Sequence, residues 1–404
     1  MTVGIISCFS GVGGLEGSDS ALAFCESDEQ AQIVLRRRHP EAKIHDDIAT
    51  FQPPKAEVVL GGWPCQDISV AGNQAGLTGE RSGLFYELLR VAEKSNCRAL
   101  VAENVANLLR LDNGKEFESV LKDIRKAGFD FISWRVLNSR EFGIPHQRRR
   151  VFLVASKSRH DAESLHRALP SQEARGSTPE AAGFYWTAGL QSICYSKGFS
   201  PTLKVGSSLS IPSPPAVHLT KTREVRKLTS GECLRLQGFD PSDFEVEGVT
   251  RADRYRMAGN AVTCPVGRFV VDGVARELGN AGAHETVEQM NLGMGGLKPL
   301  KTKKKPNAGW WDAGKYYESE PAQVPYPRVE EALLAADLLT FLDPDDEEAA
   351  PLSARAARGL LARLEKSKKE RHPVTESALL GDQLAPPDEA CPSDLLIALK
   401  NLAA

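Results

Sequence analysis

Cys65, set between Pro64 and Gln66 directly behind the apolar run Val58-Val59-Leu60-Gly61-Gly62, is a thiol delivered by the end of a predicted buried strand. In open α/β sheets ligands gather outside the carboxyl ends of the strands, so a thiol leaving through Gly-Gly and Pro is a candidate nucleophile. A lone cysteine is more often a small buried hydrophobe, and what separates Cys65 from that case is its company. Ala99-Leu100-Val101-Ala102 delivers Glu103-Asn104-Val105. Ile132 to Leu137 leads through Gly143-Ile144-Pro145 to His146-Gln147-Arg148-Arg149-Arg150, which continues into the strand pattern Val151-Phe152-Leu153-Val154. Strand alternation places Arg148 and Arg150 on one side and Arg149 on the other. A nucleophile, a carboxyl group and fixed cations therefore all emerge from strand ends.

The elements that must position these groups begin with Ile5-Ile6-Ser7-Cys8-Phe9, which runs into Ser10-Gly11-Val12-Gly13-Gly14-Leu15 and reads as strand, glycine-rich turn and helix start. Glycines let backbone N–H groups approach a ligand closely. A second apolar run, Ala21 to Phe24, ends in Cys25-Glu26, where a carboxylate can accept hydrogen bonds from both hydroxyls of a ribose. A third strand-end candidate, Lys43-Ile44-His45-Asp46-Asp47-Ile48, can present Asp47 to the exocyclic amine of an adenine. Together they outline a pocket for an adenosine-containing cofactor.

The order Phe9-Ser10-Gly11-Val12-Gly13-Gly14, Pro64-Cys65-Gln66, Glu103-Asn104-Val105, Arg148-Arg149-Arg150, Arg235-Leu236-Gln237-Gly238-Phe239 and Gly259-Asn260-Ala261-Val262 resembles the cytosine-5 DNA methyltransferase family over residues 1–278. The resemblance implies an α/β fold: a doubly wound, Rossmann-like methyltransferase sheet with a smaller target-recognition domain. It implies S-adenosylmethionine as methyl donor and 5-methylcytosine in a specific duplex sequence as product. Cys65 would add to carbon 6 of a flipped-out cytosine, Glu103 would hydrogen-bond or protonate ring nitrogen 3, and Arg148 and Arg150 complete the catalytic set, Arg148 as the cation that favours thiolate. Phe9, Gly11, Gly13, Gly14, Glu26, Asp47, Ile48, Pro64, Leu84, Asn260 and Val262 are the implied cofactor-binding residues. The glycine-punctuated stretch from Gln66 to Arg81 would close over DNA, with Gln66, Ser69, Arg81, Thr202 and Gln237 as DNA contacts; no metal is implied. Three departures stand out. Ser7 replaces the acidic residue common two places before the first-motif Phe, the interval from Gly14 to Glu26 is short enough to clip the first helix, and His146 stands where a Gln is usual.

The resemblance and the loss of βα rhythm divide the chain into a catalytic domain (1–156), a recognition domain (157–250), a return segment (251–278) and a tail (279–404). Within the second, 157–222 is variable and 226–239 is a supporting helix motif, where Thr229 and Glu232 have capping-box spacing and Gly238 is a stop. In the tail the resemblance ends; Lys301 to Pro306 reads as linker, Val329 to Leu339 and Ser353 to Lys369 have helical periodicity, and Asp343 to Glu348 separates them as small helices that bury little in a partly disordered accessory region. The net charge of −3 over 404 residues is unusual for a nucleic-acid binder, and acidic tail residues are expected to mask a basic cleft holding Arg148, Arg150, Lys221, Arg223, Arg226 and Lys227. Eight cysteines show no paired C-x-x-C spacing, against zinc and a disulfide framework, and no apolar run reaches the ~20 residues of a membrane span. A cytoplasmic, monomeric enzyme of prokaryotic or phage type acting on double-stranded DNA is expected, with a separately encoded restriction endonuclease as an open partner. Methylation of cytosine in tRNA and a catalytically silent DNA-binding regulator are the alternatives.

Overall fold

The computed structural model describes residues 3–17, 21–64, 83–170, 180–187, 194–205, 212–279, 308–312, 315–318, 338–343, 346, 348–369 and 393–404. The apolar runs become β1 (Ile5–Cys8), β2 (Ala23–Cys25), β3 (Lys43–His45) and β4 (Val58–Gly61), with α1 (Glu29–Arg38) between β2 and β3 and α2 (Gly83–Lys94) after β4. They continue as β5 (Ala99–Val105), α3 (Lys115–Lys126), β6 (Phe131–Asn138), β7 (Arg149–Ser156) and the short α4 (Arg159–Glu163). β1 and β4 are buried along their whole length, as strands covered on both faces must be. β5, β4, β1, β2 and β3 lie parallel in that order, and β7 joins β5 antiparallel with β6 beyond it. The register aligns Cys8 with Gly61 and Cys25, and Gly61 with Ala102, so the carboxyl ends of β1, β2, β4 and β5 form one rim.

Among the described residues no helix follows the glycine-rich turn, which corrects the expected helix start. Gly11, Gly13 and Gly17 have φ of 56°, 77° and 77°, outside the right-handed helical range. The space is filled from the far end of the fold by α7 (Cys264–Gly279), whose Val266, Phe269, Val270 and Val271 share a core with Leu15 and Phe24. Contact is backbone to backbone: a Cβ on Gly267 would lie 2.2 Å from the Gly14 carbonyl oxygen, and one on Gly14 2.3 Å from that of Val262.

A second sheet of four antiparallel strands, in the order β11-β10-β8-β9, comprises β8 (Ala181–Phe184), β9 (Ser196–Lys197), β10 (Ala216–Leu219) and β11 (Glu224–Lys227). It is followed by α5 (Ser230–Arg235) and α6 (Arg251–Asn260). The expected capping box is present: Thr229 Oγ1 accepts from Glu232 N and the Glu232 carboxylate accepts from Thr229 N. Glu232 also takes both terminal nitrogens of Arg226, at 2.9 and 2.7 Å, and both side chains are buried. Arg226 is therefore an internal cation, not the cleft residue expected. Glu232→Ala strands that guanidinium, and we expect a loss of about 3–5 kcal/mol in urea unfolding; a loss below about 1 kcal/mol would show that solvent reaches the pair.

The tail is integrated in the fold where it is described. β12 (Ala308–Asp312) and β13 (Lys315–Glu318), unforeseen in the sequence, form a hairpin that extends the main sheet to nine strands through pairing of β12 with β6. α8 (Ala354–Lys369) and α9 (Ser393–Ala403) cover the second sheet, with Leu352, Ala357, Leu360, Leu395, Ala398 and Leu399 packed on Phe184, Ala216 and Val225. This corrects the expectation of helices that bury little. The acidic segment docks on α5 and α6: Glu348 accepts from Ser230 N and pairs with Arg251 and Arg254, while Asp346 accepts from Thr229 Oγ1. Its direct ion pairs through Glu348 are with Arg251 and Arg254, while Asp346 also acts on Arg226 and Lys221 pairs with Glu180. Most of Val329 to Leu339 lies outside the described residues.

Candidate active site

The three strand ends nearest Cys65 set the site. Cys65 lies outside the described residues, as do Gln66, Ser69 and Arg81, but the chain is described up to Pro64, half-buried. A Cβ on Gly62 would stand 3.1 Å from Oε2 of Glu103, so the backbone leaving β4 passes directly over that carboxyl group. Asn104 holds the approach: it is 2% exposed and donates through Nδ2 to the Trp63 carbonyl at 3.3 Å. Sequence reading quoted Asn104 without a role, and only the fold brings Trp63 to it.

Val105 pairs with Arg150 and Glu103 with Phe152 across β5 and β7, so Glu103 and Arg150 are diagonal neighbours on one face. Arg150 Nε lies 3.1 Å from Glu103 Oε1. Burial pushes the Glu103 carboxyl above the usual carboxylate range, with Arg150 and then Arg148 pulling against it. Arg149 acts on Glu141 instead, in line with the expected alternation. Arg148 is 2% exposed, and its Nη2 donates to the carbonyls of Gly259, Asn260 and Ala261 at 3.1, 3.3 and 2.6 Å. It clamps the return segment, and Arg150, not Arg148, makes the direct contact with Glu103.

Gln237 does not face a DNA cleft. It is fully buried, donates through Nε2 to Ala258 O at 2.6 Å and accepts from Thr263 at 2.6 Å, because the end of α5 packs beneath the same return segment. His146 carries the seam between the two sheets. Nε2 accepts from Leu203 N at 3.0 Å and Nδ1 faces Leu236 O at 3.2 Å, which makes it a neutral Nδ1–H donor; burial, reinforced by Arg148, holds its pKa well below normal. Beside it Thr202 Oγ1 donates to Gln147 O at 2.5 Å, and Tyr185 donates to Thr202 O at 2.7 Å. Thr202 is thereby fixed next to the segment that carries Arg148 and leads into β7.

On the other side of β1, Glu26 accepts from Gly11 N at 2.7 Å and from Asp28 N at 2.8 Å, and burial raises its pKa. Phe9 has a left-handed φ of 53°, a conformation costly for an aromatic residue and retained where the surroundings enforce it. Phe9 and Leu84 are half-buried at the margin of one core cluster. Asp47 is exposed, with Oδ1 accepting from Ala49 N, and Ile48 beside it is buried. Asn260 is exposed at the end of α6, and Val262 lies against Gly14. Among the described residues nothing lies within 4 Å of a Cβ built on Gly11, so its backbone is open on that side. Paired hydroxyl acceptors, apolar walls and an open glycine turn fit an adenosine-bearing methyl donor. Among the described residues no group of three His, Cys, Asp or Glu side chains is arranged to hold a metal, and no helix is long and apolar enough to cross a membrane.

The fold and these groups are those of a DNA-modifying methyltransferase. The family model for the C-5 cytosine-specific DNA methylase matches residues 3–193 and 188–276. A Bacillus subtilis Type II methyltransferase, M2.BsuMI, is 31% identical over 380 residues, covering 89% of this chain and 92% of that protein. M.Bsp6I, a Type II methyltransferase of a Bacillus species, is 28% identical and covers 68% of this chain and 99% of its own length. The solved Dnmt2 methyltransferase of S. pombe shares the fold, with a TM-score of 0.51 at 17% identity over 68% of this chain and 99% of that one. The chain belongs to the C-5 cytosine-specific DNA methylase family and is a DNA cytosine-5 methyltransferase. A match over 89% of the chain runs past residue 279, so likeness to relatives does not end there as the motifs alone implied.

Proposed function

We propose that this enzyme methylates carbon 5 of a flipped-out cytosine within a specific duplex sequence, with S-adenosylmethionine as donor and Cys65 as nucleophile. The observation that carries the reading is the half-buried Glu103 carboxyl, held by Arg150 directly under the backbone that leads to Cys65. A base inside a duplex cannot reach that depth, so it leaves the stack, at a cost of a few kcal/mol. Addition of the Cys65 thiolate to carbon 6 drives electrons into the ring. Glu103 donates a proton or hydrogen bond to ring nitrogen 3, and burial, which raises its pKa against the pull of Arg150 and Arg148, favours the protonated form. Arg150 fixes the orientation of the carboxyl group, and Arg148 holds residues 259–261 so that Asn260 and Val262 close the cofactor side. Bound S-adenosylmethionine supplies an electrophilic methyl group; Glu26 would hold its ribose, Asp47 and Ile48 its adenine, and Phe9, Pro64 and Leu84 its apolar surroundings. After loss of the carbon 5 proton, elimination frees Cys65.

In this reading residues 157–250 form the target-recognition domain, Thr202 lies beside the flipped base, and Gln66, Ser69 and Arg81 belong to a loop that closes over DNA. The test is methyl transfer from labelled S-adenosylmethionine to mixed-sequence duplex DNA and to tRNA, followed by base-resolution mapping. Methylated cytosines in one recurrent duplex sequence are the expected outcome; transfer to tRNA alone would overturn the choice of substrate.

A further inference from the structure

The Gly-rich turn buries a carboxylate that the chemistry above does not use. Glu16 is 4% exposed, and its Oε1 accepts from Ser7 Oγ at 2.7 Å, from a residue that is itself 1% exposed. Among the described residues no ion pair involves Glu16. Arg38 is the nearest cation acting on it, but its Nη1 is spent on the Val12 and Gly13 carbonyls and its Nε faces Asp243 at 3.4 Å. From α7 the neighbouring titratable group is the Cys264 thiol. Burial holds the Glu16 carboxyl above its ordinary range, against the neutral hydrogen bonds it accepts from Ser7 and from the backbone N–H groups of Leu15 and Glu16, none of which supplies a positive partner.

The sheet order says what that partner is. β1 lies between β2, whose end carries Glu26, and β4, whose end leads to Pro64 and Cys65. A donor with its nucleoside over β2 and β3 and its methyl group turned toward β4 and β5 must place its sulfur over the end of β1. The amino-acid arm leaves from that sulfur, beside the turn that holds Glu16. Ser7 on the strand donates to a carboxylate that reaches back from nine residues later. We infer that Glu16 is the counter-charge for the α-ammonium group of the methyl donor, so that the acid missing from position 7 is supplied by the turn.

This inference rests on the cofactor assignment proposed above, and the test separates the two. Calorimetric titrations of the full chain and of Glu16→Gln would use three ligands: S-adenosylmethionine, S-adenosylhomocysteine, and 5′-methylthioadenosine, which has the nucleoside and sulfur but no amino-acid arm. The first two should bind Glu16→Gln on the order of ten- to a hundredfold more weakly, the loss of one charge-assisted contact, with 5′-methylthioadenosine unchanged. Equal weakening of all three would assign Glu16 to shaping the turn and overturn the inference, as would no weakening of any. If Glu16→Gln does not fold, Ser7→Asp combined with Glu16→Gln returns the carboxylate to the strand. That double variant should restore the preference for S-adenosylhomocysteine over 5′-methylthioadenosine, and a folded double variant without it overturns the inference. Failure of the unaltered protein to bind any of the three would instead refute the cofactor assignment.

Discussion

Cys65→Ala is expected to fold, to bind S-adenosylmethionine as the unaltered protein does, and to transfer methyl groups to DNA at least about a thousandfold more slowly, the scale of nucleophile removal in enzymes with covalent intermediates. The reason is electronic. Carbon 5 of cytosine is a poor nucleophile until a thiolate adds to carbon 6, and neither Glu103 nor Arg150 can substitute for that addition. Binding should persist because the groups assigned to the cofactor are anchored elsewhere, Glu26 on the N–H groups of Gly11 and Asp28 and Val262 against Gly14. The check is a radiolabel transfer assay together with denaturing electrophoresis on a duplex containing 5-fluorocytosine. The unaltered protein should form a covalent complex that Cys65→Ala cannot. Trapping by Cys65→Ala would mean that another thiol is the nucleophile.

The second large effect is expected at Glu103. Glu103→Gln retains a hydrogen-bond donor toward ring nitrogen 3 but no transferable proton, and kcat should fall by roughly a hundredfold or more, the usual scale for a positioned acid. Glu103→Ala, which also leaves Arg150 without its carboxylate, should fall further. The pH dependence gives the sign. If Glu103 acts in its protonated form, as proposed, its pKa, raised by burial and partly restored by Arg150 and Arg148, means that activity should decline as pH rises through that raised value. The Cys65 thiolate fraction grows in the opposite direction, since an unperturbed thiol has a pKa of about 8.5. The profile of the unaltered protein is therefore bell-shaped, and Glu103→Gln should lose the alkaline limb while keeping the acidic one. An alkaline limb that survives in Glu103→Gln would transfer the role of acid to another group.

Much of this was written in the chain itself. The apolar runs leading to Phe9, Glu26, Pro64 and Glu103 define four parallel strands because buried strands need unbroken hydrophobic segments, whereas β3, which leads to Asp47, is a polar, largely exposed edge strand. Alternation alone paired Arg148 with Arg150. The capping box at Thr229 and Glu232 was equally local. Those features depend on neighbours within a few residues, which is the range over which sequence pattern has physical force.

Tertiary structure decided what depends on distant partners. Which arginine meets Glu103 follows from the register of β5 against β7, and Arg148 is committed to carbonyls 111 to 113 residues away. Gln237 is withdrawn from DNA because the return segment packs over it, and His146 becomes a neutral link because Leu203 and Leu236 arrive on either side. The tail is the clearest case. Its helices pack on each other and on β8, β10 and β11, and its acidic run docks on α5, partners that no local pattern in the tail reveals. The sequence by itself determined the strands, their order of chemistry and the family; the packing of one segment on another, which buries or frees each polar group, determined which of those residues face the reaction and which hold the frame.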